Sequence, residues 1–177
     1  MTIDQIISGK HIPQEINVII EISAHSHPIK YEIDKSTQML FVDRFIATGM
    51  TYPCNYGYIP HTLSEDNDPI DVLVMAPFPI MSQAVISCRP IGLLKMEDES
   101  GIDAKILAVP IAKVSTLYNN INDIDDVSDI YLQQIKYFFE HYKGLEDGKW
   151  VKIIGWFNKN DAYKEILTSI HRCNQKG

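Results

Sequence analysis

Short apolar segments that alternate in character at every second residue, each cut off by turn-forming residues, run from position 16 to 110 and constrain the fold more than any other feature. INVIIEI (16–22), IKYEI (29–33), MLFVDRFI (39–46), IDVLVM (70–75), AVISC (84–88), IGLLKM (91–96) and AKILAVP (104–110) are rich in β-branched residues and read as strands. SAHSHP, DKSTQ, the aromatic TYPCNYGYIP and EDESG separate them as turns and loops. No helix is predicted before residue 120. Beyond it, Val127, Ile130, Tyr131, Ile135, Phe138, Phe139 and Tyr142 recur at spacings of three and four behind the capping candidates Asp123 and Asp125, and Gly144 supplies a stop. One more strand, KWVKIIGWF (149–157), leads into an amphipathic helix from about Asp161. Short strands followed by helices predict an α+β domain, mainly β, as a small closed barrel with flanking helices.

The chain's 177 residues, 45% of them hydrophobic, suffice for one core, so residues 1–177 are expected to form a single domain. A formal charge of -7 repels nucleic acid and acidic membrane surfaces, so any anionic ligand needs a local exception. Cys54, Cys88 and Cys173 have no zinc-site or disulfide spacing and point to a reduced, cytoplasmic protein. The N-terminal MTIDQIISGK has no apolar signal region. VLVMAPFPIMSQAVISC is the longest uncharged run, and its two prolines suit strands better than a membrane helix.

The acidic residues carry the functional signal. Alternation sends Lys30 and Glu32 to one side of their strand and Glu21 away from Val18, Ile20 and Ile22, positions that fit a solvated outer face. Asp71, by contrast, shares parity with Leu73 and Met75, and Asp103 with Lys105, Leu107 and Val109. A carboxylate among such neighbours needs a positive partner. In DNDPID, Asp66, Asp68 and Asp71 would repel one another unless a cation intervenes, and hard divalent ions such as Mg²⁺ suit carboxylate oxygens. A capped turn is the alternative, because Asp and Asn favour turns and Pro69 holds Asp68 extended. A calcium loop of the EF-hand kind fails, since Asp71 stands where glycine is required. Lys30, Arg44, Lys105, Tyr142, Lys143 and Lys149 add the cations and phenol of a site for a metal-bound phosphate anion. Tyr52, Tyr56 and Tyr58 are packing residues or substrate contacts, His25 and His27 lie at the surface, and the Met and Phe residues belong to the core.

DNDPID with the following VLV, the preceding YPCNYGYIPHTL, EDESGIDAKILAVP and FFEHYKGLEDGKWVKIIGW together resemble the soluble inorganic pyrophosphatases of the bacterial type, family I, from about Glu15 to near the C-terminus. The resemblance implies Mg²⁺-dependent hydrolysis of pyrophosphate to two orthophosphates on a five-stranded OB-like barrel, in subunits that form hexamers. By position, Asp66, Asp71 and Asp103 resemble the main metal ligands, Asp98 and Glu32 help hold further metals, and Glu21 belongs to the same acidic lining. Lys30, Arg44, Tyr56, Lys105, Tyr142 and Lys143 match phosphate-binding positions, and Asp68 falls where the family places its proton acceptor. The attacking water would lie between Mg²⁺ ions that share Asp71. Two rivals use similar residue types: a phosphohydrolase of other substrates, and an OB-type module for single-stranded nucleic acid, which the net charge disfavours.

Overall fold

The structure, a computed structural model, describes residues 3–176; Met1, Thr2 and Gly177 lie outside the described residues. In chain order the elements are β1 (Ile16–Ile22), β2 (Ile29–Ile33), β3 (Leu40–Phe45), β4 (Asn55–Tyr58), β5 (Asp71–Val74), β6 (Val85–Asp98), β7 (Gly101–Pro110), α1 (Asp129–His141), β8 (Val151–Asn158) and α2 (Lys159–Lys176). Strands pair in the order β1-β4-β5-β7-β6, and β6 returns to β1, so five strands close a ring. This ring is the expected five-stranded OB-like barrel. Strand β8 pairs with β6 outside it, and β2 with β3 forms a separate hairpin. Among the described residues only β5 and β7 pair in parallel.

Closure depends on one long strand. The first part of β6 pairs with β1, through Val85 to Cys88, and its second part pairs with β8, from Gly92 to Asp98. A register shift between Pro90 and Gly92 lies between the two parts. The sequence predicts two strands here, 84–88 and 91–96, because Pro90 reads as a break. A bulge absorbs the missing N–H and lets one strand bend around the ring. A second difference concerns TYPCNYGYIP, read as a loop, whose Asn55–Tyr58 segment is β4. Tyr56 and Tyr58 share one face, and the turn-favouring Asn55 and Gly57 on the other hide the strand.

The helical part begins later than its periodicity suggests. Asp123 caps a short 3₁₀ turn (Ile124–Asp126), and α1 starts only after Ser128. The same Asp123 Oδ1 accepts from Ile124 N at 2.8 Å and from Lys159 N at 2.9 Å, so one carboxylate fixes the turn before α1 and the first residue of α2. At the other end Gly144 N–H donates to His141 O at 2.8 Å and closes the α1 exit.

Two apolar clusters use the two faces of the strands. Leu73, Leu94 and Leu107 pack with Ile135, Phe138 and Phe139 of α1, while Val72, Val74, Leu93 and Ile106 pack with Ala162 and Ile166 of α2. The assignment of every Met and Phe to the core is corrected here. Phe41 (52% exposed), Phe45 (72%), Phe78 (75%), Met39 (60%) and Met81 (80%) lie open. The β2–β3 hairpin has only two strands and no layer on its outer side, and Phe78 and Met81 sit on the loop between β5 and β6. Among the described residues no helix is long and apolar enough to cross a membrane.

Gly57 sits where β4 crosses β1, paired with Ile20. A side chain there would meet the carbonyl oxygen of Ile19, which is backbone and cannot turn aside. Gly57→Ala is therefore expected to destabilise the fold by about 3 kcal/mol or more. A urea denaturation midpoint equal to the parent's would show that β1 and β4 can separate freely.

Candidate metal and anion site

Four local devices bring charge to one place. First, β5 and β7 pair Asp71 with Lys105 across the parallel ladder, and Asp103 lies two residues before Lys105 on the same face. Second, the hairpin joining β6 to β7 has only Glu99 and Ser100 in its turn, with Gly101 at φ 118, and so presents Asp98 and Glu99 at its tip. Third, β1 carries a register shift between Ile20 and Ile22, which re-aims Glu21 into the protein instead of leaving it on a solvated face. Fourth, a shift on β3 places Asp43 as the extra residue between Val42 and Arg44, opposite Lys30. Asp34 holds the following turn by accepting from Ser36 Oγ at 2.6 Å and Thr37 N at 2.7 Å, and Lys35 projects from it.

These elements surround a cavity of about 340 Å³ lined by eight acidic and six basic side chains. On its wall lie Glu21, Lys30, Glu32, Arg44, Tyr56, Tyr58, Asp66, Asp68, Asp71, Asp98, Asp103, Lys105, Tyr142 and Lys143, with Lys149 beside them, while Tyr52 is a buried packing residue of the core. Lys35 and Glu99 were not anticipated. Both stand in segments read as turns, and neither has a periodic signal. Asp43 and Glu146 were also missed and act from behind the wall.

Cations and carboxylates neutralise one another throughout. Lys105, 3% exposed, places Nζ 2.7 Å from Asp71 and 3.0 Å from Asp103, and donates to Tyr56 Oη at 3.2 Å. Arg44 donates from Nη1 to Asp43 at 2.8 Å and from Nε to Glu146 at 3.0 Å. Lys30 lies 3.3 Å from Asp43, Lys143 3.0 Å from Asp98, and Lys149 2.6 Å from Glu99. Asp68, at the rim, is met by Lys35 at 2.6 Å. Tyr142, at the end of α1, is buried and stacks on Phe138 with centroids 5.0 Å apart.

The proton affinities follow from this crowding. Burial pulls the Lys105 ammonium down, but attraction to Asp103 and Asp71 outweighs it and holds its pKa well above the ordinary value. Burial, then repulsion from Asp71, raises Asp103 against the pull of Lys105. Asp66 is raised by shielding from water at the cavity wall and by repulsion from Asp68 and Asp71. Glu21 is pushed up to about 8, chiefly by burial, although Ile33 N donates to it at 2.8 Å. The Tyr56 phenol is held well above 10 by burial and by the nearby Asp71, and stays a neutral donor.

Among the described residues no three acidic, His or Cys side chains are already gathered around one point, because the Lys105 ammonium stands between Asp71 and Asp103. The donor chemistry nonetheless fits a hard divalent cation. Carboxylates whose protonation is favoured by burial and mutual repulsion gain most from added positive charge, and oxygen-only donors with no nearby thiol or imidazole suit Mg²⁺-like ions.

Residues 18–174 match the family model described as "Inorganic pyrophosphatase". The chain is 58% identical to the inorganic pyrophosphatase of Buchnera aphidicola subsp. Acyrthosiphon pisum over 99% of this chain and 96% of that protein. It is 54% identical to that of Escherichia coli strain K12, over 99% of this chain and all of that one. A crystal structure of the inorganic pyrophosphatase from Thermus thermophilus superposes with a TM-score of 0.93 at 38% identity, covering 98% of this chain and 99% of that one.

Glu21 yields a pH test. Its folded pKa of about 8 exceeds the ordinary 4.5, so between those values the folded protein holds a proton that the unfolded chain releases. Its contribution is therefore full below about pH 4.5 and is lost as pH rises towards about 8. Metal-free protein should lose thermal stability over that window, and Glu21→Gln should flatten the decline. Melting curves in chelator with the same slope for both proteins would contradict the assignment.

Proposed function

The chain belongs to the bacterial-type inorganic pyrophosphatase family, and we propose that it hydrolyses pyrophosphate to two orthophosphates in this cavity. One observation supports this most: acids from β1, β2, β5, β7, the 64–70 loop and the β6–β7 turn converge on the same space as six cations. A net-acidic protein thereby gains a local receptor for a small polyanion.

Asp66, Asp71 and Asp103, with Asp98, Glu32 and Glu21 in the same lining, would hold Mg²⁺, which when bound neutralises phosphate oxygens and lowers the pKa of an attacking water towards neutrality. The rest falls to the chain. Arg44 can exchange Asp43 and Glu146 for phosphate oxygens, which its fork binds in pairs. Lys30, Lys143 and Lys105 add point charges, and Tyr56 and Tyr142 phenolic contacts, so that negative charge growing on the departing phosphate meets preorganised donors. Asp68 is exposed at the rim and accepts the proton of the attacking water. No covalent nucleophile takes part; Cys54 and Cys88 are buried thiols in the apolar clusters, and burial pushes both up, Cys54 to about 12.

We also assign a hexameric, cytoplasmic protein. The open Phe41 and Phe45 of the hairpin and Ile130 (64% exposed) and Tyr137 (59%) of α1 supply apolar surface for neighbouring subunits, and three free cysteines accord with a reducing compartment.

The decisive experiment is orthophosphate release from pyrophosphate by chelator-stripped protein. Release is expected only after Mg²⁺ is added, and preferential cleavage of nucleotides or phosphate esters would refute the substrate. Asp68→Asn should keep Mg²⁺ affinity while lowering kcat by about a hundredfold or more. Asp71→Asn should instead raise the Mg²⁺ needed for activity; an unaltered titration removes it from the ligand set. Light scattering should return six chain masses, and a monomer mass rejects the assembly.

A further inference from the structure

Asp66 and Asp68 stand on a loop, residues 59–70, that is closed on itself. Ile59 N donates to Ile70 O at 3.1 Å, and the Thr62 hydroxyl spans the neck by donating to Ile59 O at 2.6 Å and accepting from Ile70 N at 3.0 Å. At the tip, Ser64 N donates to Asp68 O at 2.7 Å and Asp68 N to Asp66 Oδ1 at 3.0 Å. The bonds within the loop set its shape. They anchor its neck at Ile70, directly before Asp71, but none runs from the tip to Asp71 or Asp103.

Besides Lys35, which meets Asp68 at the rim at 2.6 Å, the tip is held from outside the cavity. Among the described residues none of helix α2 lines the site, yet it grips the loop twice: Leu63 N donates to Ser169 O at 2.9 Å, and Arg172 Nη2 donates to Glu65 Oε1 at 3.3 Å. The second contact falls immediately before Asp66. Arg172 is itself steadied by Glu165, 3.7 Å from its Nη1 and two turns earlier on the helix. The helix in turn is seated in the ring by buried Ala162 and Ile166. A continuous path therefore runs from the apolar ring through α2 and one guanidinium to the acidic tip.

We propose that Arg172 is a positioning residue which, through Glu65, fixes Asp66 and Asp68 relative to Asp71 and Asp103 and so sets the affinity of the acidic site for divalent metal. It rests on the function proposed above. Glu65 is 59% exposed, so the contact adds little to global stability, and its loss should be felt locally at the loop.

Mg²⁺ binding to chelator-stripped protein, measured by calorimetry, is the direct readout, with kcat at saturating Mg²⁺ and the melting temperature beside it. Arg172→Gln and Glu65→Gln should each raise the Mg²⁺ dissociation constant about two- to fivefold, the size that one exposed ion pair can supply. The double variant should be no worse than either single, and exchanging the two residues (Glu65→Arg with Arg172→Glu) should restore part of the affinity. Melting temperature should stay near the parent's, and kcat at saturating Mg²⁺ should fall by no more than the affinity does. Glu165→Gln, which leaves the Glu65 contact in place, should bind Mg²⁺ as the parent does. Lowered melting temperature with unchanged Mg²⁺ affinity would make the pair merely structural and overturn the proposal, as would equal shifts in all three single variants. If the parent hydrolyses pyrophosphate with Mg²⁺ while Arg172→Gln matches it throughout, the positioning role alone falls. A parent that binds no Mg²⁺ removes the proposed function and this inference together.

Discussion

A lysine ammonium enclosed by two aspartates, Lys105 between Asp71 and Asp103, is the contact on which the rest of the site depends. Lys105 is almost wholly buried, and an isolated charge there would carry a desolvation penalty of several kcal/mol, roughly, which only close carboxylates offset. The three residues lie on β5 and β7, and Tyr56 joins them from β4, so three adjacent strands share one electrostatic knot at the wall of the cavity. Deleting Lys105 would leave two mutually repelling, largely buried carboxylates without their cation. The core packing beneath it, Leu73 and Leu107 against Phe139, keeps water away and makes these charges strong.

Around that knot every other cation is also engaged by a carboxylate, and two of those carboxylates, Asp43 and Glu146, lie behind the wall. Asp43 and Glu146 hold Arg44, and Glu99 holds Lys149 while lying 3.8 Å from Lys143. These acids keep flexible side chains ordered near the positions where a phosphate would meet them, which reduces the entropy lost on binding. An incoming polyanion replaces one set of oxygens with another. The net effect is a receptor preassembled by internal ion pairs, inside a protein whose overall charge repels anions.

Much of the fold was legible because short runs rich in β-branched residues mark β1, β2, β5 and β7, and apolar residues spaced by three and four mark α1. Legibility failed where local rules are broken by design. Pro90 looked like a break, but a bulge carries β6 through it; Asn55–Tyr58 looked like a loop because Tyr56 and Tyr58 share one face of β4 while the other carries Asn55 and Gly57, residue types that favour turns. Glu21 looked solvent-facing because strict alternation was assumed across a register shift. Phe41 and Phe45 looked like core because hydrophobic character cannot reveal that their hairpin has no layer above it. Lys35 and Glu99 offered no pattern at all, since turn residues reach a site only through the geometry of the turn.

By itself the sequence determined the chemistry: the strand-rich architecture, the acidic loop, the carboxylates with apolar neighbours that demanded a cation, and the candidate acids and cations that all reached one cavity. These follow from side-chain type and spacing, which are local properties. Only the tertiary structure decided which charge faces which: that Lys105 rather than a distant base lies between Asp71 and Asp103, that Glu21 is buried, and that α2 holds the acidic loop through Arg172. Those pairings join residues separated by up to 107 positions, and their strength depends on distance and exclusion of water, quantities that exist only once the ring has closed.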